Sequence, residues 1–261
     1  MQIENNILTD SFKRAHSYLR ISLIERCNLR CTYCMPEHGI PLSPRSHLMT
    51  YEEIYQIAST FVRNGVTKIR LTGGEPLIRK DIDVILKKLA SLNIELSITT
   101  NAILVDRFID VLKENGIRNI NASLDSLDSE KFKHITRRND FKKAFNNIQL
   151  LVKEGFHVKL NVVLIKGFNE DEIINFINLT KDWPIVVRFI EFMPFNGNKW
   201  DKSKLVSYES IMNIAFKAFS KAHIIRLTDA PNDTSKNYKI SNYTGSFAVI
   251  STVTNPFCDS C

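Results

Sequence analysis

No apolar run in this sequence approaches the ~18 residues that a membrane-crossing helix needs. Residues 1–14 are polar and of mixed charge, so the expectation is no secretory signal, no membrane and a cytoplasmic location. Cysteine is scarce, five in the chain; an odd number in two groups argues against a secreted disulfide framework. The six histidines, His16, His38, His47, His134, His157 and His223, share no ligand spacing and read as surface or core residues. There is no low-complexity segment and no internal repeat beyond an alternation of strands and helices. Dense Lys/Arg runs are missing too, although the net charge is +7. Basic residues alternate with acidic ones, as on solvated helix faces. The charge calls for a negative partner, nucleic acid or a nucleotide polyphosphate, and by itself favours neither.

What is present is a loop, Cys27-Asn28-Leu29-Arg30-Cys31-Thr32-Tyr33-Cys34. Three of the five cysteines fall in these eight residues, directly after a predicted strand. A structural zinc site usually takes four protein ligands, and this spacing offers no fourth cysteine and no close histidine. Thiolates also hold iron–sulfur clusters, whose cubane form has four corners. Three ligands leave one iron open to a reactant. Three buried thiols, or a zinc loop completed from elsewhere, are the alternatives.

Six strand–helix units follow one another. Strands are expected at 18–24, 66–71, 94–99, 117–123, 156–165 and 185–192. The capping box Thr50-Tyr51-Glu52-Glu53 opens the first helix. Apolar stripes Ile82/Ile85/Leu86/Leu89, Val105/Phe108/Ile109/Leu112 and Phe141/Ala144/Phe145/Ile148 mark three more. Asn169-Glu170-Asp171-Glu172 reads as the cap of another. The pattern predicts an α/β fold, an open partial (β/α)6 TIM-like barrel over residues 1–194, with a flat doubly wound sheet as the alternative. Residues 195–261 form a C-terminal α+β extension, with one helix near 208–219 and two short strands.

Along the strands the polar side chains share a face: Arg20 and Ser22; Lys68, Arg70 and Thr72; Ser97, Thr99 and Asn101; Asn119, Asn121, Ser123 and Asp125; Lys159 and Asn161. An ordinary barrel packs that face with Val, Ile and Leu. A polar, partly basic face is expected to surround a ligand. Gly73-Gly74-Glu75-Pro76 closes the second strand, where paired glycines let a backbone approach a ligand and Glu75 is placed to accept from an ammonium.

Together these features resemble the radical S-adenosylmethionine (SAM) family, which has C-x3-C-x2-C with an aromatic before the last cysteine and a GGEP motif one strand later. In that family SAM chelates the open iron of a 4Fe–4S cluster, and its reductive cleavage gives a deoxyadenosyl radical. Arg20, Lys68-Ile69-Arg70, Thr99-Thr100-Asn101, Asn121-Ala122-Ser123-Leu124-Asp125, Arg188-Phe189-Ile190-Glu191-Phe192-Met193 and Cys258-Asp259-Ser260-Cys261 are similar to the GTP 3′,8-cyclase branch. That branch opens molybdenum cofactor biosynthesis. The resemblance implies that Cys27, Cys31 and Cys34 hold the SAM cluster. It implies SAM contacts at Tyr33, Gly74, Ser123 and Met193, and GTP contacts at Arg20, Arg70, Thr99 and Lys159.

It also implies a second cluster. Cys258 and Cys261 match two of its ligands; a third cysteine, an arginine-rich segment and a Gly-Gly tail are not in the sequence. The expectation is a fragment that cleaves SAM without completing the cyclisation of GTP. An electron donor such as flavodoxin or ferredoxin and the next enzyme of the pterin pathway are the implied partners, with a homodimer left open. A radical SAM peptide maturase is the competing enzyme. A noncatalytic metal- or nucleic-acid-binding protein is the competing class; it leaves GGEP and the polar face unexplained.

Overall fold

The computed structural model describes residues 8–11, 13–36, 38–195, 198, 200–229 and 233–256. Contacts divide the chain into two compact units. The first runs to Asn28 and from Pro41 to Asn121; the second takes Leu29–Ile40 and the chain from Ala122 on.

In the first unit, strands β1 (Tyr18–Ser22), β2 (Lys68–Thr72) and β3 (Glu95–Thr100) pair in parallel. Side chains alternate as expected in β1 and β2, where Ile21, Ile69 and Leu71 are buried and Arg20 and Arg70 are not. In β3 Leu96, Ser97 and Ile98 are all buried, so Ser97 is not on an open face, while Thr99 is half-buried. Helices α1 (Tyr51–Arg63), α2 (Ile82–Ala90) and α3 (Ile109–Glu114) add Ile54, Ala58, Ile85, Leu86, Leu89 and Leu112 to the core. Each such side chain contributes roughly 1.5–3 kcal/mol by leaving water. The capping box of α1 forms as expected: Glu53 N donates to Thr50 Oγ1 and Thr50 N to Glu53 Oε2. The stripe from Val105 is interrupted, however. Residues Val105–Arg107 make a 3₁₀ turn, and α3 starts only at Ile109.

Strand β4 (Asn119–Ser123) straddles the division. In the second unit β5 (His157–Leu164) and β6 (Val186–Glu191) are parallel, with α5 (Phe141–Lys153) before β5 and α6 (Ile173–Asp182) between them. The extension contains α7 (Tyr208–Phe219) and strands β7 (Ile224–Arg226), β8 (Lys236–Ile240) and β9 (Ser246–Ile250). β9 pairs parallel with β6, and β8 and β7 then follow antiparallel. The sheet order is β1-β2-β3-β4-β5-β6-β9-β8-β7. It is mostly parallel and not closed by hydrogen bonds, the open α/β fold that the sequence predicts.

Two elements were not expected. α4 (Ser129–Thr136) is short and mostly polar, with only Phe132, Ile135 and Thr136 buried. Its start is set by Asp128, whose carboxylate accepts from Glu130 N and Lys131 N. β7 has three residues, too few for a period. One expected cap is absent: Asn169 makes no side-chain cap to α6. Its amide instead donates to Asp125 O and Val163 O and accepts from Ile165 N, tying the chain after β4 to the end of β5. Among the described residues no helix is long and apolar enough to cross a membrane.

Candidate active site

In the first unit the glycine loop lies directly against the chain that leads into Cys27. Gly74 N donates to Ile24 O at 2.6 Å and Glu75 N to Arg26 O at 2.8 Å. No side chain fits there: a Cβ on Gly74 would stand 2.2 Å from Arg26 O. Arg79 fastens the same region, donating to Leu23 O at 2.9 Å and Met49 O at 2.6 Å. The expectation that Glu75 meets an ammonium is corrected. The Glu75 side chain is 1% exposed and its carboxylate accepts from Asn101 N (2.7 Å), Thr100 Oγ1 (2.8 Å) and Leu77 N (3.1 Å). Three internal donors and burial make it a brace between the loop and the end of β3. Asn101 carries the brace onward: its side-chain amide donates to Asn28 Oδ1 at 2.7 Å and reaches Cys27 Sγ at 3.8 Å.

Burial pushes the Glu75 carboxyl up to about 7 against the pull of its donors. The folded chain therefore binds this proton more tightly than the unfolded one. Stability is expected to fall as pH rises from about 4.5 to about 7, by on the order of 2–3 kcal/mol. Urea unfolding of the parent and of Glu75→Gln across this range checks it. Equal slopes for the two proteins would remove Glu75 as the source.

The polar face of β1–β3 collects cations around one ring. Arg20 and Arg70 stand opposite each other in register, and Tyr18 stands opposite Lys68. The Tyr18 ring centroid is 5.2 Å from the Arg70 guanidinium, 5.3 Å from that of Arg20 and 5.9 Å from Lys68 Nζ. Lys68 also pairs with Glu95 at 2.6 Å. Desolvation lowers the Arg70 pKa from its ordinary value, and the Arg20 charge adds to the effect. Such a group favours an arriving anion. Thr99 lies half-buried on the same face.

In the second unit the amides of Arg30 and Thr32 donate to Thr136 O (3.0 Å) and Ile135 O (2.9 Å), the last carbonyls of α4. Arg137 closes this junction, donating from Nη1 to Arg30 O at 2.9 Å. Tyr33 turns its hydroxyl inward and donates to Asp125 Oδ2 at 2.7 Å. Burial first, then the Asp125 charge, holds the Tyr33 pKa well above its ordinary value. Burial pushes Asp125 up to about 6 while Val163 N and Tyr33 pull it down. Asp125 appears in the polar alternation of the sequence, but nothing there signals its pairing with Tyr33. Ser123 ends β4 half-buried, Lys159 is exposed on β5, and Met193 is half-buried just after β6. Arg188, a cation absent from the sequence-derived polar face, donates from Nε to Asn161 Oδ1 at 2.9 Å.

Cys27, Cys31 and Cys34 are thiols. A hydrogen bond with Cys31 draws the Cys34 pKa below its ordinary value. Among the described residues no three of His, Cys, Asp and Glu are grouped to hold one metal ion. Three thiols in eight residues remain a donor set chemically suited to iron and sulfide. Cys258 and Cys261 lie outside the described residues.

A family model described as the Radical SAM superfamily matches residues 21–180. The chain belongs to the radical SAM superfamily. SAM and an iron–sulfur cluster are the cofactors of that family. A second family model, Molybdenum Cofactor Synthesis C, matches residues 185–261. The chain is 46% identical over 267 residues to GTP 3′,8-cyclase, mitochondrial, of Arabidopsis thaliana, covering 100% of this chain and 68% of that one. It is 45% identical over 260 residues to molybdenum cofactor biosynthesis protein 1 of Drosophila melanogaster. That match covers 99% of this chain and 46% of the relative, so the chain spans less than half of the fly protein's length. The crystal structure of Streptococcus suis SuiB is similar in fold, with a TM-score of 0.65 at 20% identity, over 89% of this chain and 49% of SuiB.

Proposed function

We propose that this radical SAM chain performs the reaction for which its relatives are named, the 3′,8-cyclisation of GTP, as a lyase in molybdenum cofactor biosynthesis. The observation that carries this reading is the group of Arg20, Arg70 and Lys68 around Tyr18 on the polar strand face. A triphosphate answers the adjacent guanidiniums of Arg20 and Arg70, Lys68 being matched by Glu95; an ordinary peptide substrate does not, which weighs against the peptide-maturase reading. In this proposal Cys27, Cys31 and Cys34 hold the cluster, and Tyr33, Gly74, Ser123 and Met193 contact SAM. Arg20, Arg70, Thr99 and Lys159 contact GTP, and Cys258 and Cys261 belong to a second cluster. Held by Cys27, Cys31 and Cys34, the first cluster with SAM would supply the radical chemistry for taking hydrogen from the ribose.

The protein's own part is placement. The loop Gly73–Gly74 brings backbone close to the segment before Cys27, and the cations fix the triphosphate so that the ribose is aligned. Alignment accounts for several kilocalories of a barrier of this kind. A one-electron donor, the next pterin enzyme and a homodimer are the proposed partners, and the cytoplasm is the proposed compartment. The Arabidopsis relative is named as a mitochondrial protein.

The test is binding of GTP to the anaerobically reconstituted protein. Arg70→Ala and Lys159→Ala are each expected to weaken it by about 1.5–3 kcal/mol, the scale of a charged hydrogen bond. SAM cleavage, followed as deoxyadenosine, should change far less. Parent-like GTP binding by both variants would reject the assignment.

A further inference from the structure

The cysteine loop is fastened to a strongly basic part of the second unit. In the chain around Ile135 and Thr136, whose carbonyls accept from Thr32 N and Arg30 N, Lys133, Arg138 and Lys142 are exposed and Lys143 is half-buried. Among the described residues no carboxylate forms an ion pair with any of these four. Their neighbour Lys131 differs: Asp171 at 2.7 Å and Glu172 at 3.2 Å neutralise it.

Helix electrostatics account for only part of this arrangement. Lys133 and His134 sit in the last turn of α4, where the negative end of the helix dipole favours them. Lys142 and Lys143 open α5, whose first turn holds no acidic residue and whose Asp140 makes no side-chain cap. Cations at a helix N-terminus oppose its dipole. These charges weaken their own helix and are offset by no ion pair among the described residues, so an outside anion is what they suit.

We propose that the ridge of Lys133, Arg138, Lys142 and Lys143 docks an acidic protein that carries one electron to the cluster of the Cys27–Cys34 loop. The inference rests on the cluster reading and goes beyond it. Charge selects an acidic partner, and the attachment of the ridge to the loop selects a redox one. In the transfer the carrier is oxidised by one electron and the cluster reduced by one; no proton or group moves. A nucleic acid would answer the charge but not the position.

The probe is reduced flavodoxin, an acidic carrier, mixed with the anaerobically reconstituted full chain. Two variants are compared with the parent, Lys142→Glu with Lys143→Glu, and Arg138→Glu alone. Iron and sulfide are measured first; a parent that holds neither defeats the cluster reading itself, and with it this proposal. With matched cluster content, flavodoxin-driven reduction at low salt is expected to slow about tenfold in the double variant and lose most of its salt dependence. Flavodoxin binding, measured by calorimetry, should weaken in parallel. Reduction by dithionite should not change. The double variant's thermal midpoint should hold or rise, because glutamates suit a helix N-terminus. A merely structural role predicts the opposite sign. Equal flavodoxin rates in parent and variants would overturn the proposal, as would a matching loss with dithionite. So would loss of binding to a short RNA duplex with flavodoxin unaffected.

Discussion

Gly74→Ala is expected to prevent stable assembly of the cysteine loop. An added Cβ would meet Arg26 O at 2.2 Å, Arg26 C at 2.5 Å and Glu25 O at 2.5 Å. All three are backbone atoms, so no side chain can swing aside. Relief requires the glycine loop and residues 25–26 to separate, which breaks Gly74 N to Ile24 O and Glu75 N to Arg26 O. Overpacking and two lost hydrogen bonds together amount to on the order of 3–5 kcal/mol. Arg26 immediately precedes Cys27, so the displacement reaches the first thiol. Iron retained after anaerobic reconstitution and the thermal midpoint are the two readouts. Gly65→Ala is the control: its φ of +105° strains any other residue, yet no atom lies within 4 Å of the added Cβ. Its loss should be about 1–2 kcal/mol with iron content unchanged. If Gly74→Ala kept parent iron and stability, the close approach would not be what shapes the loop.

The contrast between these two glycines shows what a sequence conveys. Gly65 reads directly as a helix stop. Gly74 reads as permissive backbone, but its partner becomes visible only when residues 24–26 lie beside it. The strands were legible because alternation is local: Ile69 and Leu71 buried, Arg70 between them. The three thiols were legible because they are neighbours in the chain. The braces were not. Tyr33 and Asp125 are 92 residues apart, and Glu75 and Asn101 are 26 apart. A carboxylate's role is decided by such partners, so Glu75 looked like a ligand group and folded as a strut. Asn169 looked like a helix cap because its neighbours are acidic, and was drawn away by the carbonyls of Asp125 and Val163. α4 lacked the apolar stripe that reveals a helix, since its end serves the cysteine loop more than the core.

A loss of stability of comparable size is expected at Glu191, in the second unit. This side chain ends β6 with 0% exposure, and its carboxylate accepts from Val253 N at 2.9 Å, Thr254 N at 3.0 Å and Tyr208 N at 3.2 Å. The Thr254 hydroxyl donates to it as well. One acid thereby joins β6, the first residue of α7 and the turn after β9. Glu191→Ala removes this acceptor from Val253 N, Thr254 N and the Thr254 hydroxyl at once, and leaves Tyr208 N only its longer contact to Thr254 Oγ1 at 3.4 Å. A buried donor left without a partner costs about 1–3 kcal/mol. With partial rearrangement the loss should reach about 4 kcal/mol or more, a large share of the stability of an ordinary domain. Glu191→Gln keeps the shape and one oxygen but turns an amide NH2 toward backbone N–H donors, so roughly half the loss is expected. Amide exchange at Val253 and Thr254 separates local from global effects. In Glu191→Ala these two should exchange faster than the buried amides of β5, because the turn has lost its acceptor while the sheet has not. Met193 lies two residues beyond this anchor, so the proposed SAM contact should loosen with it and SAM affinity should fall. Parent-like melting of Glu191→Ala, with Val253 and Thr254 as protected as before, would show that the turn is held by its own backbone and that the buried acid is dispensable.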